Sequence, residues 1–129
     1  MRERPMSPHL SVYKMTRYTL LSSILNRFTG VGLSVGLLVL AYWLMAIASG
    51  PVAYEQATSI LSLGIFKLVY AAFLIAFVYH FVAGIRHLIW DTGVGMERSQ
   101  AKRSAYIVAG VTAVLVVLLG YLFVFGVRS

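Results

Sequence analysis

A chain of 129 residues that is 60% hydrophobic and only 12% charged lies outside the composition of a soluble domain and reads as an integral membrane protein. With no cysteine it can supply neither a disulfide nor thiolate ligands for an iron–sulfur cluster or structural zinc, so any redox centre it holds has to use histidine. The formal net charge of +7 flanks the apolar runs instead of forming one solvent-exposed patch, which argues against nucleic acid and ties the charge to membrane lipids and topology.

Residues 1–22 are polar and basic, with Arg2, Arg4, Lys14 and Arg17 around Arg4-Pro5-Met6-Ser7-Pro8-His9-Leu10. They lack the apolar core and small-residue cleavage site of a signal peptide. Pro5 and Pro8 favour an extended entry over a helix, so this stretch is expected to lie over the membrane surface or against a soluble partner, with His9 solvated. Three apolar runs follow, at about 28–49, 65–90 and 105–127. Each reaches the ~20 residues that cross ~30 Å of hydrocarbon. The prediction is an all-α integral membrane fold, a single domain over 1–129 with three transmembrane helices in a bundle.

Where the first span opens, Ser23 and Arg27 stand at i and i+4 on one helix face. Either Arg27 snorkels to the headgroups, or the hydroxyl and guanidinium converge on one anion or hydrogen-bond acceptor. Further along, Gly30/Ser34 and Gly32/Gly36 form small-xxx-small faces that allow close helix approach. The first loop, about 50–64, carries Gly50-Pro51 as a helix stop and Glu55 as its charge, and Lys67 opens the second span.

The second span contains Phe77-Val78-Tyr79-His80-Phe81-Val82-Ala83-Gly84-Ile85-Arg86-His87-Leu88-Ile89-Trp90-Asp91. Histidine inside a membrane segment is costly and marks a functional position. His80 and His87 differ by about 20° and lie about 10.5 Å apart along the axis, so they share one face. With Ala72, Ala76, Ala83 and Gly84 the stripe has almost no bulk except two imidazoles, so something flat or closely packed belongs there.

The connection from Asp91 to Arg103 is a short turn followed by Arg98, Lys102 and Arg103. Positive charge therefore concentrates on the N-terminal segment and this loop, against Lys67 and Arg128 at the opposite ends, which predicts both inside and the first loop and C-terminus outside. The third span has no charge and no histidine and is expected to scaffold. Gly110, Gly120 and Gly126 offer close packing and Tyr106 and Tyr121 interfacial anchors.

Self-contained hydrolytic or dinucleotide chemistry has little support. Glu3, Glu55, Asp91 and Glu97 all lie in flanks or loops, with no nucleotide-binding glycine loop and no His-Glu-x-x-His helix. Two readings of His80 remain open: a haem ligand whose neighbours leave room for a porphyrin edge, or a packing histidine hydrogen-bonded to another helix. Two imidazoles on one face of one helix cannot ligate opposite sides of one iron, so a second protein ligand would come from another chain. His87 fits a supporting role, hydrogen-bonding Asp91 or meeting a haem propionate or quinone.

Three blocks together resemble the cytochrome b556 membrane-anchor family of succinate dehydrogenase, respiratory complex II. They are Arg4-Pro5-Met6-Ser7-Pro8-His9-Leu10-Ser11-Val12-Tyr13, Ser23-Ile24-Leu25-Asn26-Arg27-Phe28-Thr29-Gly30, and His80-Phe81-Val82-Ala83-Gly84-Ile85-Arg86-His87-Leu88-Ile89-Trp90-Asp91. The resemblance covers residues 4 to about 103, with the third span similar in hydropathy alone. It implies that His80 is an axial ligand of haem b shared with a second membrane-anchor subunit, with Gly84, His87 and Arg27 also at the cofactor. It also implies that Ser23, Ile24 and Arg27 belong to the ubiquinone site, and that FAD and iron–sulfur clusters reside in the flavoprotein and iron–sulfur subunits. The expected location is the bacterial inner membrane, ahead of the mitochondrial one. One departure is Asn26, where the family usually has a histidine near a haem propionate; Asn26 can donate a hydrogen bond but cannot carry positive charge. The competing readings are the anchor of a related fumarate reductase, a haem-free structural anchor, or a small transporter subunit.

Overall fold

A computed structural model of the chain describes residues 17–126, so the Arg4–Tyr13 block, His9 and Arg128 lie outside the described residues. The described elements are four helices: α1 (Arg17–Ala48), α2 (Pro51–Leu61), α3 (Gly64–Asp91) and α4 (Arg98–Gly126). Three stretches, Leu20–Ala48, Gly64–Asp91 and Arg98–Phe123, are long and apolar enough to cross a membrane. Helices α1 and α4 begin well before the apolar runs they contain. Helix is the backbone's way of satisfying its own polar groups, and Arg98, exposed at the start of α4, reaches water without interrupting it.

The first connection differs from a simple helix stop. Gly50 takes a φ of +103°, open to glycine, and Pro51 then starts the 11-residue α2 at a position that needs no backbone N–H. Ala57, fully buried, lets α2 lie closely on the bundle, which it joins through α1.

The spans run antiparallel. Late α3 meets early α1 through His80 and Asn26, and meets early α4 through Arg86 and Ala101. The turn between α3 and α4 is tight because Gly93 and Gly95 both adopt a φ of +82°. The buried apolar residues are small: Ala46, Ala57, Val78, Ala83, Ala101 and Val108. Large side chains such as Phe28, Leu38, Val117 and Phe123 face outward. In lipid, tails are as apolar as leucine, so helices gain from close backbone approach and not from hiding bulk. Gly36 shows this, because a Cβ there would stand 3.2 Å from the Phe73 ring.

Candidate functional site

The site lies where the early turns of α1 cross the late turns of α3. Glycine at position 30 admits the His80 ring, since a Cβ there would come 3.2 Å from His80 Cε1. The imidazole Nδ1 is 3.2 Å from the Asn26 carbonyl oxygen and 3.2 Å from Thr29 Oγ1. Thr29 directs its own hydroxyl hydrogen to the carbonyls of Leu25 at 2.7 Å and Asn26 at 3.0 Å. A carbonyl only accepts, so the partners assign the proton to Nδ1, which donates to Asn26 and Thr29. In the neutral ring Nε2 is then the unprotonated nitrogen. This is how a metal-binding histidine is held, with one ring nitrogen oriented by a backbone carbonyl and the other presenting its lone pair. His80 is hydrogen-bonded to a neighbouring helix, and the bond leaves its other ring nitrogen available, so the packing contact does not exclude a ligand role.

Other features also fit a cofactor beside His80. A Cβ on Gly84 would meet nothing within 4 Å, so the space beside the helix there is not filled by the described residues. Asn26 Oδ1 is buried with no hydrogen-bond partner, one unmet interaction next to the His80 contact; with the amide turned over, its N–H₂ would face the same place. No group of three His, Cys, Asp or Glu side chains comes together among the described residues.

Arg27 follows Asn26 on α1 and so points about 100° away from the His80 contact, onto the outer surface. There Ile24, Arg27, Phe28 and Val31 line a shallow groove of about 270 Å³. Ser23 does not line that groove; it is half-buried, one turn before Arg27. The preceding residue is tied down, because Tyr79 of α3 donates its hydroxyl to the Ser22 carbonyl at 3.1 Å. The structure therefore brings Ile24 and Arg27 together and keeps Ser23 adjacent, within the same two turns that grip His80.

His80 and His87 part company. The His80 ring turns onto α1, whereas the His87 ring meets Trp90 edge-on, with centroids 5.3 Å apart, and its partner is this indole and not Asp91. Trp90 in turn stacks under Arg86, whose guanidinium carbon is 4.0 Å from the indole centroid. Arg86 is buried and donates from Nε to Ser104 Oγ and from Nη2 to the Ala101 carbonyl, each at 2.9 Å. Neither Thr29 nor Arg86 stands out by spacing alone. Small polar residues at i and i+3 facing a histidine were the available signal for Thr29, and a charge within an apolar helix with tryptophan at i+4 was the signal for Arg86.

Residues 1–119 match the family described as the succinate dehydrogenase/fumarate reductase transmembrane subunit. The succinate dehydrogenase cytochrome b556 subunit of Paracoccus denitrificans is 35% identical over 123 residues, which is 95% of this chain and 94% of that one. That of Rickettsia felis is 37% identical over 117 residues, covering 91% and 90%. The human mitochondrial succinate dehydrogenase cytochrome b560 subunit is 32% identical over 111 residues, covering 84% and 65%. Similarity of this extent, over the same residues that form the α1–α3 crossing, leads to one conclusion: the chain belongs to the succinate dehydrogenase/fumarate reductase transmembrane subunit family.

Proposed function

We propose that this chain, a membrane subunit of succinate dehydrogenase, holds haem b through His80 and supplies Ser23, Ile24 and Arg27 to the ubiquinone-reduction site. The observation that carries the reading is the His80 ring, whose Nδ1 lies 3.2 Å from the Asn26 carbonyl and from Thr29 Oγ1 of α1; in the neutral ring, Nδ1 donates there and Nε2 would present the lone pair. Haem b bound there supplies a one-electron redox centre. A second protein ligand would come from a second membrane-anchor subunit, because His87 follows His80 by two turns along the same helix and the two cannot hold opposite sides of one iron. Gly84 leaves the flank of α3 open among the described residues, and His87 and Asn26 would be the hydrogen-bond donors to the group.

Arg27 and Ser23 donate hydrogen bonds toward a quinone carbonyl and stabilise the negative charge that develops on its oxygen during reduction. Their place on the same two turns as the His80 contact supports quinone and haem functions on adjoining faces of α1. FAD and the iron–sulfur clusters reside in the flavoprotein and iron–sulfur subunits, which pass electrons from succinate. The complex sits in the bacterial inner membrane with the α3–α4 turn on the cytoplasmic side, where its basic residues are favoured.

The test is His80→Leu in the purified complex, read by pyridine-haemochrome content and the reduced-minus-oxidised spectrum. Loss of haem, or a displaced α-band, is expected; unchanged haem content with an unchanged band would sink the assignment to His80, and a wild-type complex without haem would leave a haem-free anchor as the function.

A further inference from the structure

Arg86 is the buried charged side chain among the described residues, at 5% exposure, and its contacts are all neutral. Nε donates to the Ser104 hydroxyl, Nη2 donates to the Ala101 carbonyl, and the guanidinium plane lies over Trp90. Asp91 and Glu97, the nearest carboxylates in sequence, are exposed at the end of the bundle. The positive charge is thus desolvated and fixed, but not cancelled. Arginine does not lose its proton in proteins, so the charge is permanent.

A neutral side chain could pin α3 to α4 without the cost of taking a charge out of water, and packing alone does not account for a guanidinium here. Its position suggests what the charge does. Arg86 follows His80 by six residues on the same rigid helix, an axial rise of about 9 Å with the two side chains about 120° apart around it, and the hydrogen bonds to α4 hold it in place. Charges separated by such a distance inside a low-dielectric bundle interact without the salt screening that weakens surface pairs.

We propose that Arg86 sets the reduction potential of the haem held at His80, its buried charge favouring the reduced state. The inference rests on the haem reading above. The step concerned takes up one electron and lowers the net charge of the centre by one, which a nearby fixed cation favours; in the titration below, redox mediators supply the electron. Arg86 is here a positioning charge and touches neither the iron ligand nor the quinone residues.

The experiment is a spectroelectrochemical titration of haem in the complete purified complex, with haem content measured alongside. Arg86→Gln removes the charge while its amide can still donate to α4. Arg86→Lys keeps the charge and loses the planar fork. Ser104→Asp leaves Arg86 in place and sets a carboxylate against Nε, cancelling the charge. The midpoint potential should fall in Arg86→Gln and Ser104→Asp and stay near wild type in Arg86→Lys, at unchanged haem content. Wild-type potentials in the glutamine and aspartate variants overturn the proposal, as does an equal fall in Arg86→Lys, which would show that packing and not charge is responsible. If Arg86→Gln does not assemble, Ser104→Asp decides the matter, because it retains the guanidinium and its contact with Trp90. A wild-type complex that contains no haem refutes the underlying reading instead, and is told apart by the pyridine-haemochrome assay alone.

Discussion

Gly30→Ala separates the stability of α1 from its hold on His80. The added Cβ would lie 3.2 Å from His80 Cε1 and 3.7 Å from Nδ1, so the ring has to retreat by a few tenths of an ångström. Both Nδ1 contacts are already 3.2 Å long, at the outer edge of N–H···O geometry, and that retreat carries them beyond useful range. The net loss is about 1–2 kcal/mol, or ~10-fold in the affinity for a group that needs the ring in its present orientation. Against this, alanine favours a helix interior over glycine by about 0.8–1 kcal/mol. The thermal stability of the subunit should therefore hardly change, while haem content at limiting haem falls. Gly32→Ala is the control, since its Cβ meets nothing within 4 Å; it should keep full haem and melt slightly higher. Haem per complex and a melting curve in mild detergent read both effects. Full haem with an unshifted α-band in Gly30→Ala, or an equal loss in Gly32→Ala, would refute the geometry.

Ser23→Ala and Arg27→Lys should depress quinone reduction strongly while leaving succinate oxidation by an artificial dye, accepted upstream, nearly intact; wild-type quinone turnover and inhibitor sensitivity in both would make Arg27 a headgroup anchor, since lysine also reaches the interface. Topology is open to direct labelling, because the chain has no cysteine: cysteines at Thr58 in α2 and Ser99 at the start of α4, both exposed, should react from opposite sides of the membrane, with Ser99 on the cytoplasmic side. Labelling of both from the periplasmic side would overturn the orientation.

The three long apolar helices and the ionisable residues within the second were legible in the amino-acid sequence, because apolar length and helical repeat are local properties of the chain. The family blocks also singled out Ser23, Arg27 and His80 as candidates without any knowledge of packing. Helix α2 was not legible: its 11 residues are too short to register as a span, and their helical conformation depends on the Gly50 turn and on Ala57 closing against the bundle. The shared face of His80 and His87 was correct as a helical periodicity, yet it did not reveal that one ring turns to α1 and the other to Trp90, because ring direction depends on what each neighbouring helix offers. The same holds for which nitrogen of His80 carries the proton, a choice made by Asn26 and Thr29 more than fifty residues earlier. Arg86 was visible as a charge in an apolar run, but its partners Ala101 and Ser104 lie beyond a turn that Gly93 and Gly95 close with positive φ angles. A local pattern sets how many helices there are and where their charges fall; only the crossing of those helices decides what each polar atom faces, since a buried hydrogen bond needs two partners that the chain brings together from distant positions.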